Sequence, residues 1–103
     1  MLPKNLFKNG FDKNREPIDV DSLVHIRNFI RDNFEKTKNI NKKVGSYKLK
    51  HITEKNIKEM NGSVSNGDFI ASMILEGYEY KKDVKDSPNV NFNLSQDSVK
   101  PFI

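Results

Sequence analysis

Residues 46–78 constrain this chain more than any other stretch. They read SYKLKHITEKNIKEMNGSVSNGDFIASMILEGY, two amphipathic helical patterns on either side of a short turn that contains Gly62. In the first pattern Leu49, Ile52, Ile57 and Met60 share one face, flanked by Tyr47, Thr53 and Asn56, and Gly45-Ser46 supplies a break and an N-cap. Gly62 is placed to end that helix in a left-handed conformation. In the second pattern Ser65 and Asp68 form a capping-box variant, Phe69, Ile70, Met73 and Ile74 make a wide apolar face, and Gly77 is a natural stop. Ala71 and Ser72 are small enough to allow close helix approach. The spacing therefore predicts a helical hairpin whose second member lies at the centre of the core.

The flanking segments add to this pair. Residues 1–18 are punctuated by Pro3, Asn9-Gly10 and Pro17 and read as an irregular arm, with Leu6, Phe7 and Phe11 available to dock on the core. A further helix fits about 20–36, capped by Asp19 or Asp21, with Leu23, Ile26, Ile30 and Phe34 as its stripe and Lys36 and Lys38 near its negative end. Residues 37–45 read as a polar connection tethered by Ile40 and Val44. After Gly77 the period changes to two: Tyr78 and Tyr80, then Val90, Phe92 and Leu94, alternate with polar residues and predict two short strands across a long turn. The tail 96–103 ends in an apolar pair that either tucks in or frays. The expected architecture is one α+β domain, a three-helix core including the helical hairpin at 46–78, with a small C-terminal β-hairpin over 78–95.

Composition limits the function classes. One domain's length, 103 residues, with only 35% apolar residues leaves a lean core, which seven Phe and three Tyr enlarge. The absence of cysteine excludes a disulfide framework, thiol catalysis and cysteine-type zinc sites. No segment is apolar enough for a secretory leader or a membrane span, so the expected location is cytoplasmic. His25 and His51 are far apart, with no H-x-x-x-H spacing and no nucleophile frame, so neither a metal site, a cofactor nor an enzyme is expected.

Charge is the clearest pointer to a partner. Residues 36–58 hold eight lysines against the single acid Glu54, whereas 59–103 hold four lysines against seven acids. Lys42, Lys43, Lys48, Lys50, His51, Lys55 and Lys58 form the candidate nucleic-acid-binding set, because clustered cations suffice to neutralise phosphates. Asn39, Asn41 and Tyr47 add hydrogen-bonding or stacking groups. Lys50 and Glu54 also form an i, i+4 pair in the less favourable order, contributing a few tenths of a kcal/mol at most. The run lacks arginine, which weakens any case for bidentate reading of base edges. A standard helix–turn–helix reader fits poorly: its second helix carries Asp68 and Glu76 and no cation, and Lys58 stands where a small packed residue is expected. Glu76, Glu79, Asp83 and Asp86 make the rival candidate, an acidic patch for a basic host protein surface.

Two stretches, Ser46-Tyr47-Lys48-Leu49-Lys50-His51 with Glu54 and Val64-Ser65-Asn66-Gly67-Asp68-Phe69-Ile70, carry a resemblance covering a third of the chain. It resembles short proteins of bacteriophages and mobile elements with the pattern S-Y-x-L-K-H-x-x-E followed by V-S-N-G-x-F-I; Ile70-Ala71-Ser72 varies the end of the second half. The resemblance implies a mobile-element setting, in which small proteins often regulate or inhibit host systems. It carries over no activity and no functional residue. The expectation is a small non-enzymatic protein contacting nucleic acid through its lysine-rich face, the alternative being a protein-binding inhibitor or regulator that works by charge complementarity.

Overall fold

The computed structural model describes residues 2–103. The chain is α+β, with four α-helices and two small antiparallel sheets among the described residues. Helix α1 spans Val20–Asn33, and Asp19 caps it by accepting from the Asp21 N–H. Leu23, Ile26 and Ile30 are buried along its inner stripe. It stops earlier than its pattern predicts. Phe34 turns extended and buries its ring, and Lys36 leaves the helix axis to bridge Leu94 and place its ammonium 4.6 Å over the Tyr78 ring. Burial, with Glu76 and Glu35 nearby, pushes the Tyr78 hydroxyl up to about 12.

Helix α2 spans Ser46–Asn56 and buries Leu49, Ile52 and Thr53. Its cap differs from the expectation. Gly45 holds the N-cap position, and the buried Ser46 hydroxyl instead accepts from the Val90 N–H at 3.1 Å. The helix ends at Asn56, a short 3-10 turn follows at Lys58–Met60, and Asn61 and Gly62 both take left-handed angles to reverse the chain.

Helix α3, Asn66–Leu75, is buried along most of its length, from Asn66 through Met73. The expected capping box is not made. Ser65 caps nothing with its side chain, and Asp68 reaches outward to the Lys8 ammonium at 3.2 Å and the Asp19 N–H at 3.0 Å. A long-range cation and an exposed donor outcompete the local bond. The far end closes as the sequence suggests: Gly77 sits at φ 88, its N–H donates to the Ile74 carbonyl and the Tyr78 N–H donates to Met73, a paired closure that needs a left-handed residue.

The amino-terminal segment is more ordered than an irregular arm. Leu6–Phe7 (β1) and Gly10–Phe11 (β2) pair antiparallel, and Leu6 and Phe11 are buried. The Gly67 N–H donates to the Lys8 carbonyl, and a β-carbon at Gly67 would collide with the Phe7 carbonyl oxygen, so this small hairpin seals the start of α3. Strands Tyr80–Lys82 (β3) and Val90–Phe92 (β4) pair antiparallel with Lys81 opposite Asn91. Phe92 meets Phe69 edge-on at 6.1 Å between ring centres, which joins the sheet to α3. The tail tucks in: helix α4, Gln96–Val99, buries Val99, and Phe102 packs edge-on against Phe29 and Phe34. No helix among the described residues is long and apolar enough to cross a membrane.

Candidate nucleic-acid interface

The lysine run divides into two groups. Lys42, Lys43, Lys48, Lys55 and Lys58 are exposed, and none has a carboxylate partner among the described residues. Lys48 and Lys55 stand two turns apart on α2, close to one line along its outer side. Lys50 and His51 belong to a different arrangement. His51 Nδ1 lies 2.7 Å from Glu54 and the Lys50 ammonium 3.5 Å from the same carboxylate, which also accepts the Val64 N–H at 2.9 Å. Burial alone would raise the Glu54 carboxyl. The Val64 N–H, His51 and Lys50 outweigh that and hold it below the ordinary value. Glu54 thus ties α2 to the entrance of α3, and the two motif stretches meet at this carboxylate.

The segment carrying Lys42 and Lys43 is not a free loop. Its backbone runs beside β4 and the residues after it: Thr37 N–H donates to Asn93, Asn41 N–H donates to Phe92, and the Asn91 amide donates to the carbonyls of Asn41 and Val44. Asn91 and Asn93 read as solvent-facing residues by alternation, yet both are buried because this segment covers them. With β3 on one side of β4 and residues 36–45 on the other, Lys42 arrives beside Lys81 and Lys82. The three cations line a cleft of about 310 Å³ with Ile40, Asp83 and Asn91. Lys82 is also 3.6 Å from Asp12 and 5.5 Å from the Phe11 ring centre. Sequence reasoning missed Lys81 and Lys82, since both fall in the half whose acids outnumber its bases. The alternating pattern at 78–94 puts Lys81 on a strand, but no local signal brings residues 36–45 beside it.

The rival acidic set comes apart in the fold. Glu76 is held by Arg27 at 2.7 Å and Arg31 at 2.9 Å, which join α1 to the end of α3. Arg31 and Arg27 keep its carboxyl below the usual range against the opposing effect of burial. Glu79, Asp83 and Asp86 are exposed, but Lys81, Lys82 and Lys85 alternate with them. His25 stands on α1 and His51 on α2. Among the described residues no group of three or more histidine, aspartate or glutamate side chains is placed to hold a metal ion.

No protein-family model, curated protein or solved structure matches this chain.

Proposed function

We propose that this chain is a small, non-enzymatic nucleic-acid-binding protein of the mobile-element kind its motif resembles, acting in the cytoplasm through its lysine-rich face. One observation carries this reading: Lys42, Lys43, Lys48, Lys55 and Lys58 are exposed without carboxylate partners, and Lys42 shares a cleft with Lys81 and Lys82. In this reading the hairpin of 46–78 and α1 form a three-helix scaffold, and the β3–β4 hairpin extends the basic surface beyond α2. Lys50 and His51 contribute at the margin, because Glu54 neutralises part of their charge. The protein-binding alternative loses Glu76 to two arginines and keeps only charges interleaved with lysines.

Phosphate contacts make affinity fall steeply with salt. A surface neutralising about four phosphates loses roughly a hundredfold in affinity between 50 and 200 mM salt. A fluorescence titration with duplex and single-stranded DNA and RNA tests this directly. Absence of binding to all of them at low salt removes the reading. Combined Lys42→Glu, Lys48→Glu and Lys55→Glu reversal is expected to abolish binding while shifting the thermal unfolding free energy by less than about 0.5 kcal/mol per site.

A further inference from the structure

A second cleft, about 380 Å³, lies where five segments converge: the turn between β1 and β2, the turn after β2, α2, the start of α3 and the loop before β4. Its volume falls within the range of small-molecule sites. Its lining includes Tyr47, Lys50, Lys13, Ser65, Asn66 and Asn89. No acidic residue lines it.

Three observations identify what such a cleft would take. The first is an aromatic plane beside a cation. Tyr47 is 56% exposed although it is a large aromatic, and His51 meets it edge-on at 4.6 Å, which fixes the ring. The Lys50 ammonium lies 5.4 Å from the ring centre and has donors to spare beyond its long contact with Glu54. The second is unmet hydrogen-bonding capacity. Asn66 is only 5% exposed, and its Nδ2 is fixed on Asn89 Oδ1 at 2.9 Å, yet its Oδ1 has no partner. The neighbouring Ser65 hydroxyl is likewise buried and unpartnered. Leaving such groups unsatisfied is costly in a folded chain, and because both oxygens are closed to solvent a ligand's N–H groups would meet them only after a small turn of the side chain. The third is rigidity. Gly10 at φ 125 lets β2 press onto Pro88 and Asn66, where a β-carbon would stand 2.6 Å from the Pro88 carbonyl oxygen, and the Phe11 N–H donates to that carbonyl at 3.1 Å. The side of the cleft formed by Pro88 and Asn66 is thus held in place without a ligand.

We infer that this cleft binds a nucleobase carrying a phosphate, the base stacked on Tyr47 with its N–H edge toward Asn66 and Ser65, and the phosphate between Lys50 and Lys13. That chemistry is shared by a free mononucleotide and by an unpaired nucleotide of a strand. Aromatic stacking with edge hydrogen bonds is how proteins read single-stranded bases. The inference rests on the nucleic-acid reading above and gives it a preference for unpaired over paired strands.

The test is a chemical-shift titration of the full chain with adenosine, guanosine, cytidine and uridine monophosphates, with inorganic phosphate, with a short single-stranded oligonucleotide and with a blunt duplex. Expected are shifts at Tyr47, Lys50, Ser65, Asn66 and Asn89 with at least one mononucleotide, and with the oligonucleotide more strongly than with the duplex. Tyr47→Leu is expected to weaken this binding about tenfold, the loss of one stacked base, while Tyr47→Phe retains it. Tighter binding of the oligonucleotide than of any mononucleotide marks a strand as the source, and equal binding marks a free nucleotide. Equal shifts with inorganic phosphate alone, no shifts at these residues with any nucleotide, or Tyr47→Leu binding as well as the native chain would each overturn the inference. The two readings fail separately. Oligonucleotide binding that is lost on lysine reversal but indifferent to Tyr47→Leu keeps the function and sinks the cleft. Mononucleotide shifts without any strand binding keep the cleft's chemistry and sink the function.

Discussion

Helices α2 and α3 are neighbours of nearly equal length, joined by residues 57–65, and they differ in what they expose. Helix α3 is buried along most of its length and carries no cation, whereas α2 buries one face and turns Tyr47, Lys48 and Lys55 to the outside. In a standard helix–turn–helix reader the second helix is the one presented to a groove. Here that helix is enclosed by α1, α2, the amino-terminal hairpin and β4. The sequence pattern of a helical pair therefore says little about which member meets a partner. Burial and charge decide that.

The contrast is open to direct attack, most severely at the start of α3. Gly67→Ala drives a β-carbon into the Phe7 carbonyl, and a loss of about 4 kcal/mol or outright unfolding is expected in urea denaturation. A fully stable variant would show that the amino-terminal hairpin yields easily and that the start of α3 is not tightly enclosed.

A smaller effect is expected at the other end of the same helix. Glu76→Gln removes the ionic part of its contacts with Arg27 and Arg31. Those side chains are 37% and 56% exposed, so screening limits the expected loss to about 1 kcal/mol. The pH dependence carries a definite sign. Glu76 and Glu54 both have folded values below the unfolded one, so their stabilisation is complete above the ordinary glutamate value of 4.5 and is lost as pH falls through the depressed values. Melting temperature is expected to hold from neutral pH to about 5 and to decline below it. Glu76→Gln should make that decline shallower, and an unchanged acid limb would place the lost protons elsewhere.

The smallest effect distinguishes a cap from its appearance. Replacing a serine N-cap usually costs about 1 kcal/mol. Ser65 caps nothing with its hydroxyl, so Ser65→Ala is expected to change stability by less than about 0.5 kcal/mol. A full capping loss would mean that the Ser65 hydroxyl does turn to the α3 backbone in solution.

Ser65 also marks where sequence reading ends. Periodicity located the stripe of α3 and most of those of α1 and α2, though Phe34, Ile57 and Met60 fall beyond the helix ends, and of the two candidate caps Asp19 serves α1 while Gly77 stops α3. The misread residues have partners far along the chain. Ser46 faces Val90, Asp68 faces Lys8 and Asp19, and Lys36 faces Leu94 and Tyr78. Each had a reasonable local role that a distant group displaced. Strands of two residues, such as Leu6–Phe7, are too short to show any period. The candidate interface divides along the same line. Exposure of Lys42, Lys43, Lys48, Lys55 and Lys58 follows from where apolar residues fall, and the Lys50–Glu54 pair is local. The approach of Lys81 and Lys82 to Lys42 depends on residues 36–45 lying along β4, which no window of the sequence contains.

The contact between the amino-terminal hairpin and α3 bears on time as well as on shape. Lys8 and Asp68 are sixty positions apart, and the Lys8 carbonyl receives the Gly67 N–H beside them. The hairpin of β1 and β2 thus has nothing to close against until α3, some sixty positions further on, has formed. Chains whose decisive contacts span such separations fold more slowly than helical bundles of the same length, because the loop must be closed before the contact rewards it. A protein with four helices is expected here to refold on the slower clock of a β-rich one. Refolding within microseconds in a rapid-mixing experiment would show that α1, α2 and α3 assemble first and that the amino terminus merely arrives last.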